Sequence, residues 1–165
     1  IRVVANVIEG SDAAAAYVGC VGCKVVNNTI VDPHNWILRI LQETTSSGSY
    51  DFEECREGLF LNNLVYFERG DLSTYVNIGP NTDSDSFSFA NNLWYAWDNP
   101  GQSEPTLPVP EVNGIYGVDP KFDSELRITG ASPAAGAGTV TSWTWGDLGG
   151  ACYSDSPSIG AFEAR

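Results

Sequence analysis

Three segments of the chain repeat one pattern: Val25-Val26-Asn27-Asn28-Thr29-Ile30-Val31, Phe60-Leu61-Asn62-Asn63-Leu64-Val65-Tyr66 and Phe89-Ala90-Asn91-Asn92-Leu93-Trp94-Tyr95. Each copy is a short apolar run, an asparagine pair and a second short apolar run. The pairs begin 35 and 29 residues apart, a spacing typical of repeats that stack on one another. Strand-like runs at residues 36–41 and 74–78 follow the first two copies. The repeat therefore predicts an all-β chain with three strands per turn of a coil.

The asparagine pairs predict sharp bends between strands. Among residues with a side chain, Asn enters the left-handed backbone region most readily, so one Asn can turn the chain between two strands. Equivalent strands of neighbouring coils would lie about 4.8 Å apart. The amides of Asn27, Asn62 and Asn91 are therefore expected to form a hydrogen-bonded ladder. The alternative is a β-hairpin at each pair, but such hairpins favour Asn-Gly and no glycine follows these pairs.

The chain is strongly acidic, which limits its partners. Its 165 residues include 8 Lys and Arg against 21 Asp and Glu, a formal net charge of −13. Nucleic acids and anionic membranes bind basic surfaces, so we expect no nucleic-acid partner and no binding to anionic lipid. The longest nearly uncharged apolar stretch, residues 13–23, is much too short for a membrane span.

Two further features indicate where the protein is found. The chain has no Met and opens within an apolar run, which suggests a processed mature form or a piece of something longer. Four cysteines in an acidic chain rich in Gly, Ser, Thr and Asn favour an oxidising compartment. We therefore expect a secreted or cell-surface protein.

The last third of the chain carries an ordered set of motifs. These are Asp119-Pro120-Lys121-Phe122, Leu126-Arg127-Ile128, Ser132-Pro133-Ala134-Ala135-Gly136-Ala137-Gly138, Asp147-Leu148-Gly149 and Ile159-Gly160-Ala161-Phe162-Glu163. Together with the asparagine repeat, this set resembles the C-terminal portion of secreted or surface right-handed parallel β-helix proteins, the pectate-lyase-like group, over residues 23–163. Many of those proteins carry Asp where this chain has Gly136. The resemblance implies a right-handed parallel β-helix, a solenoid with Asn-ladder turns and a loop-rich C-terminal cap.

On this basis we expect a single β-helix domain over residues 1–165. Residues 1–22 would form an edge strand and first coil, and residues 23–98 the central coils. Residues 99–117 are predicted to form a Pro-rich excursion from the stacked coils, and residues 118–165 a C-terminal coil and cap.

The four cysteines allow three disulfide pairings. Cys20 and Cys55 each lie seven residues before an asparagine pair, so in-register coils would place them on neighbouring strands. We therefore predict Cys20–Cys55 and Cys23–Cys152. A redox or zinc role for Cys20-x-x-Cys23 is the alternative, but the chain lacks the βαβ context and the second cysteine pair that those roles need.

No catalytic residues can be assigned from the sequence. His34 is the sole histidine and lies in a turn, so no histidine-dependent triad is indicated. Carboxylate chemistry is the remaining option, since paired acids carry glycoside hydrolysis. Asp83 and Asp85 are also candidate ligands for Ca²⁺, the one cofactor that the sequence suggests. The simpler interpretation of the acids is a solvated surface.

Aromatic residues are the candidates for sugar binding. Trp94, Trp97, Trp143 and Trp145 are numerous for a chain of this length and could present ring faces to a polysaccharide, although aromatic residues in such folds more often pack in the core. Asn27-Asn28-Thr29 is a glycosylation sequon, which we expect to stay unmodified if Asn27 turns into the ladder.

These observations favour a non-catalytic extracellular module that has a structural role or binds carbohydrate. The apolar strand of residues 2–8 would pair with another chain or belong to a further coil, so a homo-oligomer or filament is an expected partner arrangement. The alternative is a polysaccharide lyase or glycoside hydrolase, or its C-terminal fragment. A carboxylate pair in a groove, or a Lys or Arg beside bound Ca²⁺, would favour the enzyme.

Overall fold

The chain folds almost entirely into short β-strands and loops. The structure is a computed structural model that describes residues 1–165. Its only helical segments are three 3₁₀ turns, at Arg69–Asp71, Ser84–Ser86 and Pro100–Gln102. None of these has the length or apolar character that a membrane crossing requires. The strands, in chain order, are β1 (Arg2–Val4), β2 (Val7–Glu9), β3 (Ala13–Val18), β4 (Lys24–Val26), β5 (Thr29–Val31), β6 (Trp36–Leu41), β7 (Ser46–Ser47), β8 (Tyr50–Asp51), β9 (Leu59–Leu61), β10 (Leu64–Phe67), β11 (Thr74–Ile78), β12 (Ser88–Ala90), β13 (Leu93–Ala96) and β14 (Ile115–Tyr116).

The strands form four sheets. The first sheet has the order β1-β4-β9-β12, the second β14-β13-β10-β5-β2 and the third β11-β6-β3, and all of their pairings are parallel. Strands β7 and β8 form a separate antiparallel hairpin. The all-β class that the sequence predicts is therefore correct.

The prediction of a right-handed parallel β-helix is wrong, since the strands belong to separate sheets of four, five, three and two strands rather than to a single solenoid. The bends at the asparagine pairs separate the sheets. Asn27, Asn62 and Asn91 have φ angles of 52°, 54° and 50°, in the left-handed region. Each bend directs the chain out of the first sheet and into the second, so strands that are consecutive in sequence do not pair there.

The repeat alignment itself is confirmed. Val25 pairs with Phe60 and Phe60 with Phe89 in the first sheet, as the three copies predict. In the second sheet Tyr66 lies between Val31 and Tyr95. Hairpins at the asparagine pairs, the alternative interpretation, do not occur. The predicted strands at residues 36–41 and 74–78 are β6 and β11.

The amide ladder is present, but mainly at the second asparagine of each pair. Asn6 Nδ2 donates to Asn28 Oδ1, Asn28 Nδ2 to Asn63 Oδ1 and Asn63 Nδ2 to Asn92 Oδ1, over 2.9 to 3.1 Å. The predicted members form a single step, from Asn62 Nδ2 to Asn27 Oδ1 over 3.2 Å, while Asn91 Nδ2 donates to the Ala137 carbonyl. The first asparagine makes the bend, and the bend turns the side chain of the second inward.

The predicted disulfides are also wrong. Cys20 bonds to Cys23 across a turn in which Gly22 has a φ of 65°, and the two Cα atoms are 6.0 Å apart. The turn at Gly22 brings Cys20 to Cys23, whereas the register of the repeat alone had predicted Cys55 as its partner. Cys55 and Cys152 are free thiols. The buried Cys55 thiol lies 3.2 Å from the Tyr17 carbonyl oxygen, to which it donates.

Two hydrophobic clusters stabilise the sheets. The larger lies between the three parallel sheets and includes Phe60, Phe89 and Trp94, all buried. The smaller lies on the outer face of the second sheet, where Leu64 and Leu93 pack against Ile128, Ala134 and Ile159. The C-terminal segment, residues 118–165, thus covers that face with loops.

Gly160 shows how closely this covering segment approaches the sheet. Its φ is 106°, and a Cβ at this position would lie 3.0 Å from Thr29 Oγ1 and 3.2 Å from Leu64 Cβ. The Gly160 amide donates to the Asn62 carbonyl. A glycine is therefore required here by both the backbone conformation and the available space.

Candidate functional site

Carboxylates follow four strands of the second sheet. Asp32 comes directly after β5 and Glu68 directly after β10, while Asp98 and Asp119 follow β13 and β14 within three residues. Because these strands are parallel, their carboxyl ends lie along one edge of the sheet. The four side chains form a row that we call the acidic edge.

Glu68 lies in the middle of the acidic edge. Partial burial raises its pKa, and the nearby charges of Asp71, Asp98 and Asp32 raise it further. Glu68 is therefore a carboxyl that takes up a proton readily as the pH falls.

Asp98 lies in the opposite kind of environment. Partial loss of hydration beside the sheet would raise its pKa, but hydrogen bonds from backbone N–H groups outweigh this effect and hold the pKa below its ordinary value. The amides of Arg69 and Gly70 donate to Asp98 Oδ1 and Oδ2 over 2.6 and 3.0 Å. Both oxygens are thus used in holding the 3₁₀ turn at Arg69–Asp71, and Asp98 stays ionised.

Aromatic rings lie beside the acidic edge. Trp97 is 39% exposed, and its Nε1 donates to Asp32 Oδ1 over 2.8 Å, which fixes the orientation of the indole ring. Tyr66 and Tyr95 are paired in register on β10 and β13, with ring centres 5.8 Å apart, and Phe122 lies 4.8 Å from Tyr66. We call the surface formed by Trp97 and the acidic edge the Trp97 face; Tyr66 and Tyr95 lie beside it, half-buried against the smaller hydrophobic cluster.

The Trp97 face combines ring surfaces with hydrogen-bond acceptors. Burial, with the charges of Asp32 and Asp119, raises the pKa of Tyr66 above the ordinary tyrosine value, so its hydroxyl stays protonated well above neutral pH. Ionised carboxylates accept hydrogen bonds from hydroxyl groups. This arrangement suits an uncharged ligand with many hydroxyls and an apolar face.

The four tryptophans that the sequence singles out do not form one platform. Trp94 is fully buried and donates from Nε1 to Glu111 Oε2 over 2.7 Å, so it is unable to touch a ligand. Trp143 lies against Lys24 of the first sheet, with the ammonium 4.8 Å from the ring centre. Trp145 is 87% exposed in the same loop. Only Trp97 belongs to the Trp97 face.

The other predicted site residues lie elsewhere. Asp83 and Asp85 are exposed on either side of Ser84 in a 3₁₀ turn, and the chain brings no group of three His, Cys, Asp or Glu side chains into a metal-holding arrangement. Calcium at these two residues therefore stays a prediction. The exposed His34 lies 3.5 Å from Asp71 Oδ2 through Nδ1. Asn27 is buried and donates to the Ser158 carbonyl, so the folded sequon is inaccessible to a glycan.

Glu111 has two features of a functional residue, a place in a cleft and a shifted pKa, although the sequence did not indicate it. It lines a cleft of about 480 Å³ beside Glu104, and burial raises its pKa. Its carboxylate accepts from the Asn92 backbone and side chain, Trp94 Nε1 and Tyr116 Oη, over 2.6 to 3.0 Å. All of its acceptor positions are used, so Glu111 is a structural end to the ladder. No short-range sequence signal connects it with Asn92.

No protein-family model, curated protein or solved structure matches this chain. Its function is therefore inferred from the residues of the Trp97 face.

Proposed function

We propose that this protein is a non-catalytic extracellular module that binds a neutral polysaccharide through the Trp97 face. The single observation that carries the proposal is the exposed Trp97 ring, held by its hydrogen bond to Asp32 beside a row of carboxylates. Such a module would attach a larger assembly or a cell surface to a glycan.

The aromatic residues supply the apolar part of sugar recognition. A sugar ring has an apolar C–H face, and burying it against an indole ring removes apolar area from water. Because Trp97 is already oriented by Asp32, it loses little side-chain freedom when a ligand binds. Tyr66 and Tyr95 are half-buried against the smaller hydrophobic cluster, so Trp97 is the accessible ring beside the carboxylates.

The charge of the face favours an uncharged ligand. The acidic edge contains four carboxylates and the whole chain has a formal charge of −13, so an anionic polymer would be repelled. Neutral hydroxyls, by contrast, donate well to carboxylate oxygens. The disulfide between Cys20 and Cys23 supports an oxidising, extracellular location.

The test is a binding assay with defined neutral glucans, xylans and mannans, and with polygalacturonate as the anionic comparison. We expect the protein to bind at least one neutral polymer and not polygalacturonate. Trp97→Ala should weaken that binding by about tenfold or more, as loss of a central aromatic contact does. Trp145→Ala is the matched control, because Trp145 is more exposed but lies outside the face. Equal losses for both variants, or binding to polygalacturonate alone, would exclude the proposal.

A glycoside hydrolase is the second candidate, and one observation favours it. Glu68 and Asp98 lie near each other and their pKa values are shifted in opposite directions, as an acid and its partner carboxylate require. Against this, both oxygens of Asp98 are occupied by backbone amides. Release of reducing ends from the bound glycan, abolished in Glu68→Gln, would establish the hydrolase. Products that absorb as unsaturated sugars would instead indicate a lyase.

A further inference from the structure

A groove separate from the Trp97 face opens where the third sheet ends. Val18 is the last residue of β3 and pairs with Leu41, the last residue of β6, so the two parallel strands leave the sheet side by side. Residues from the segment 18–21 line one side of the groove, and residues 42–44 and 51–53 line the other. Its volume is about 590 Å³. We call it the Gln42 groove, after the residue at its base.

Gln42 is 1% exposed although it lines the groove. A Cβ at Gly19, on the opposite side, would lie 4.0 Å from Gln42 Cδ, so the carboxamide faces the space that the glycine leaves open. The carboxamide oxygen Oε1 is buried and has no hydrogen-bond partner. The backbone of Gln42 is held in place, since its amide donates to the Pro80 carbonyl and its carbonyl accepts from Asn81 Nδ2.

The unpaired carboxamide oxygen points to a ligand. A buried acceptor without a donor is unfavourable, because it has left water and gained no hydrogen bond in exchange. Nearly all buried polar groups in proteins are paired, so this exception needs an explanation. A ligand that offers a donor to the oxygen and an acceptor to the amide nitrogen would pair both ends of the carboxamide. A peptide backbone carries this combination of groups.

The two sides of the groove differ in polarity. Val18 and Val21 are exposed, and the side to which they belong has no charged residue. Phe52 is exposed on the other side, where its amide donates to the Thr45 carbonyl over 2.8 Å and closes the β7–β8 hairpin. Apolar side chains of a ligand would lose contact with water against these residues, which favours binding.

The second side also carries two carboxylates that are free to meet a cation. Glu43 and Asp51 are exposed, and neither takes part in any ion pair of the chain. Glu53 on the same side differs, because Arg56 Nη1 lies 2.8 Å from its Oε2. A Lys or Arg side chain of a ligand would therefore find two unpaired carboxylates beside the carboxamide.

We propose that the Gln42 groove binds an extended segment of a partner protein in which apolar and basic residues alternate. Successive side chains of an extended segment point in opposite directions. One set would pack against Val18 and Val21, the other would reach Glu43 and Asp51, and the backbone would pair with the Gln42 carboxamide. A partner bound here would be joined to the glycan that the Trp97 face holds.

Charge and chemistry oppose the other occupants. A second copy of the chain carries the same formal charge of −13, so two copies repel each other. A metal ion needs several oxygen ligands at short distances, and the chain brings no three acidic, His or Cys side chains together for this purpose. A basic segment meets neither objection.

The proposal is tested by fluorescence anisotropy of a labelled, terminally blocked hexapeptide of alternating leucine and arginine, at low ionic strength. We expect saturable binding to one site on the 165-residue chain. The same peptide with glutamine in place of arginine should bind roughly fivefold more weakly, because two ion pairs are lost. The glutamate version should not bind. Absence of binding, or equal binding of the arginine and glutamine peptides, would overturn the proposal.

Gln42→Met tests the carboxamide, since methionine keeps the length of the side chain and removes its hydrogen-bonding groups. We expect the Kd of the arginine peptide to rise by about tenfold or more. Urea denaturation should show no loss of stability, because the substitution removes a buried oxygen that has no partner within the chain. A strongly destabilised variant would mean that the carboxamide has an internal role, and unchanged peptide binding would remove it from the site.

The carboxylates are tested in a variant that does not touch the buried residue. Glu43→Gln combined with Asp51→Asn should raise the Kd of the arginine peptide by roughly fivefold and leave that of the glutamine peptide unchanged. Glu104→Gln combined with Asp155→Asn is the matched control, because it removes the same charge from exposed positions outside the groove. Equal effects of the two pairs would show that only the net charge of the chain attracts the peptide.

Further measurements distinguish the remaining occupants. Binding of calcium chloride or of a neutral glucan that is lost in Gln42→Met would replace the peptide with that ligand. Self-association that is lost in the Glu43→Gln and Asp51→Asn variant would replace it with a second copy of the chain. Gln42→Met should retain glycan binding and Trp97→Ala should retain peptide binding, so this proposal and the glycan proposal fail separately.

Discussion

Asn92 Nδ2 donates to Glu111 Oε1 over 2.6 Å, and this hydrogen bond closes a ladder of side-chain amides that crosses the protein. In each step the oxygen of one amide accepts from the residue before it, and the nitrogen donates to the residue after it. A carboxylate has acceptors only, so the ladder ends at Glu111. The buried amides are thus paired where the ladder meets Glu111.

Glu111→Ala should destabilise the protein strongly. The substitution removes the acceptor for Asn92 Nδ2, Trp94 Nε1 and Tyr116 Oη, and unpaired buried donors are costly. We expect the free energy of unfolding to fall by at least about 2 kcal/mol, measured by urea denaturation. Glu104→Ala, an exposed carboxyl on the same segment, should change it by no more than about 0.5 kcal/mol. Similar losses in both variants would mean that Glu111 does not end the ladder.

The two asparagines of a pair should respond differently to substitution. Asn63 accepts from the Asn28 amides and donates to Asn92, all buried, so Asn63→Ala should lower the free energy of unfolding by at least about 2 kcal/mol. Asn91 mainly supplies a bend with φ 50°, and a glycine adopts that conformation freely. Asn91→Gly should therefore cost less than about 1 kcal/mol in the same urea assay. The reverse order would contradict the division of roles.

The cysteines should separate into three classes by reactivity. Iodoacetamide should modify only the exposed Cys152 in the native protein, because Cys55 is buried and burial raises the pKa of its thiol. Unfolding without a reductant should expose Cys55, and Cys20 and Cys23 should react only after reduction. Mass spectrometry of a tryptic digest should show one oxidised peptide that contains both Cys20 and Cys23. A peptide that joins Cys20 to Cys55 would exclude the pairing described here.

The stability of the protein should depend on pH through Glu68 in a defined direction. Its pKa is raised in the folded state, so its contribution to stability is complete below the ordinary glutamate pKa and is lost as the pH rises through the raised value. Lowering the pH from neutral toward the glutamate range should therefore increase the free energy of unfolding. Urea denaturation at a series of pH values should show this gain in wild type and a smaller gain in Glu68→Gln.

Asp98 should show the opposite dependence of stability on pH and therefore serves as a control for Glu68. Its pKa is lowered by folding, so its contribution is present above the ordinary aspartate pKa and is lost as the pH falls through the lowered value. Asp98→Asn should consequently reduce the loss of stability at the acid end of the same series. If both variants follow the wild-type curve in parallel, neither carboxyl has the environment described.

Much of the strand pattern is determined by local sequence. The spacing of the asparagine pairs correctly predicted which residues of the three copies align, because a parallel register repeats the same inward and outward positions. The bends at Asn27, Asn62 and Asn91 were also predictable, since Asn adopts a positive φ more readily than other residues that carry a side chain. The run of four alanines at the start of β3 carries no strong local preference for a strand, and pairing with β6 is what makes it one.

The sequence by itself determined the all-β class, the acidic charge and the register of the repeat, since these depend on composition and short-range periodicity. Only the tertiary structure decided the separate sheets, the Cys20–Cys23 bond, the hydrogen bond from Trp97 to Asp32, and the hydrogen bond from Asn92 to Glu111. Asp32 and Trp97, like Glu111 and Asn92, are distant in sequence and meet only through the bends and covering loops of the folded chain. Cys20 and Cys23 are close in sequence, and the local turn between them decides their pairing. A periodic sequence pattern does not specify the long-range contacts, because they form only when the whole chain has packed.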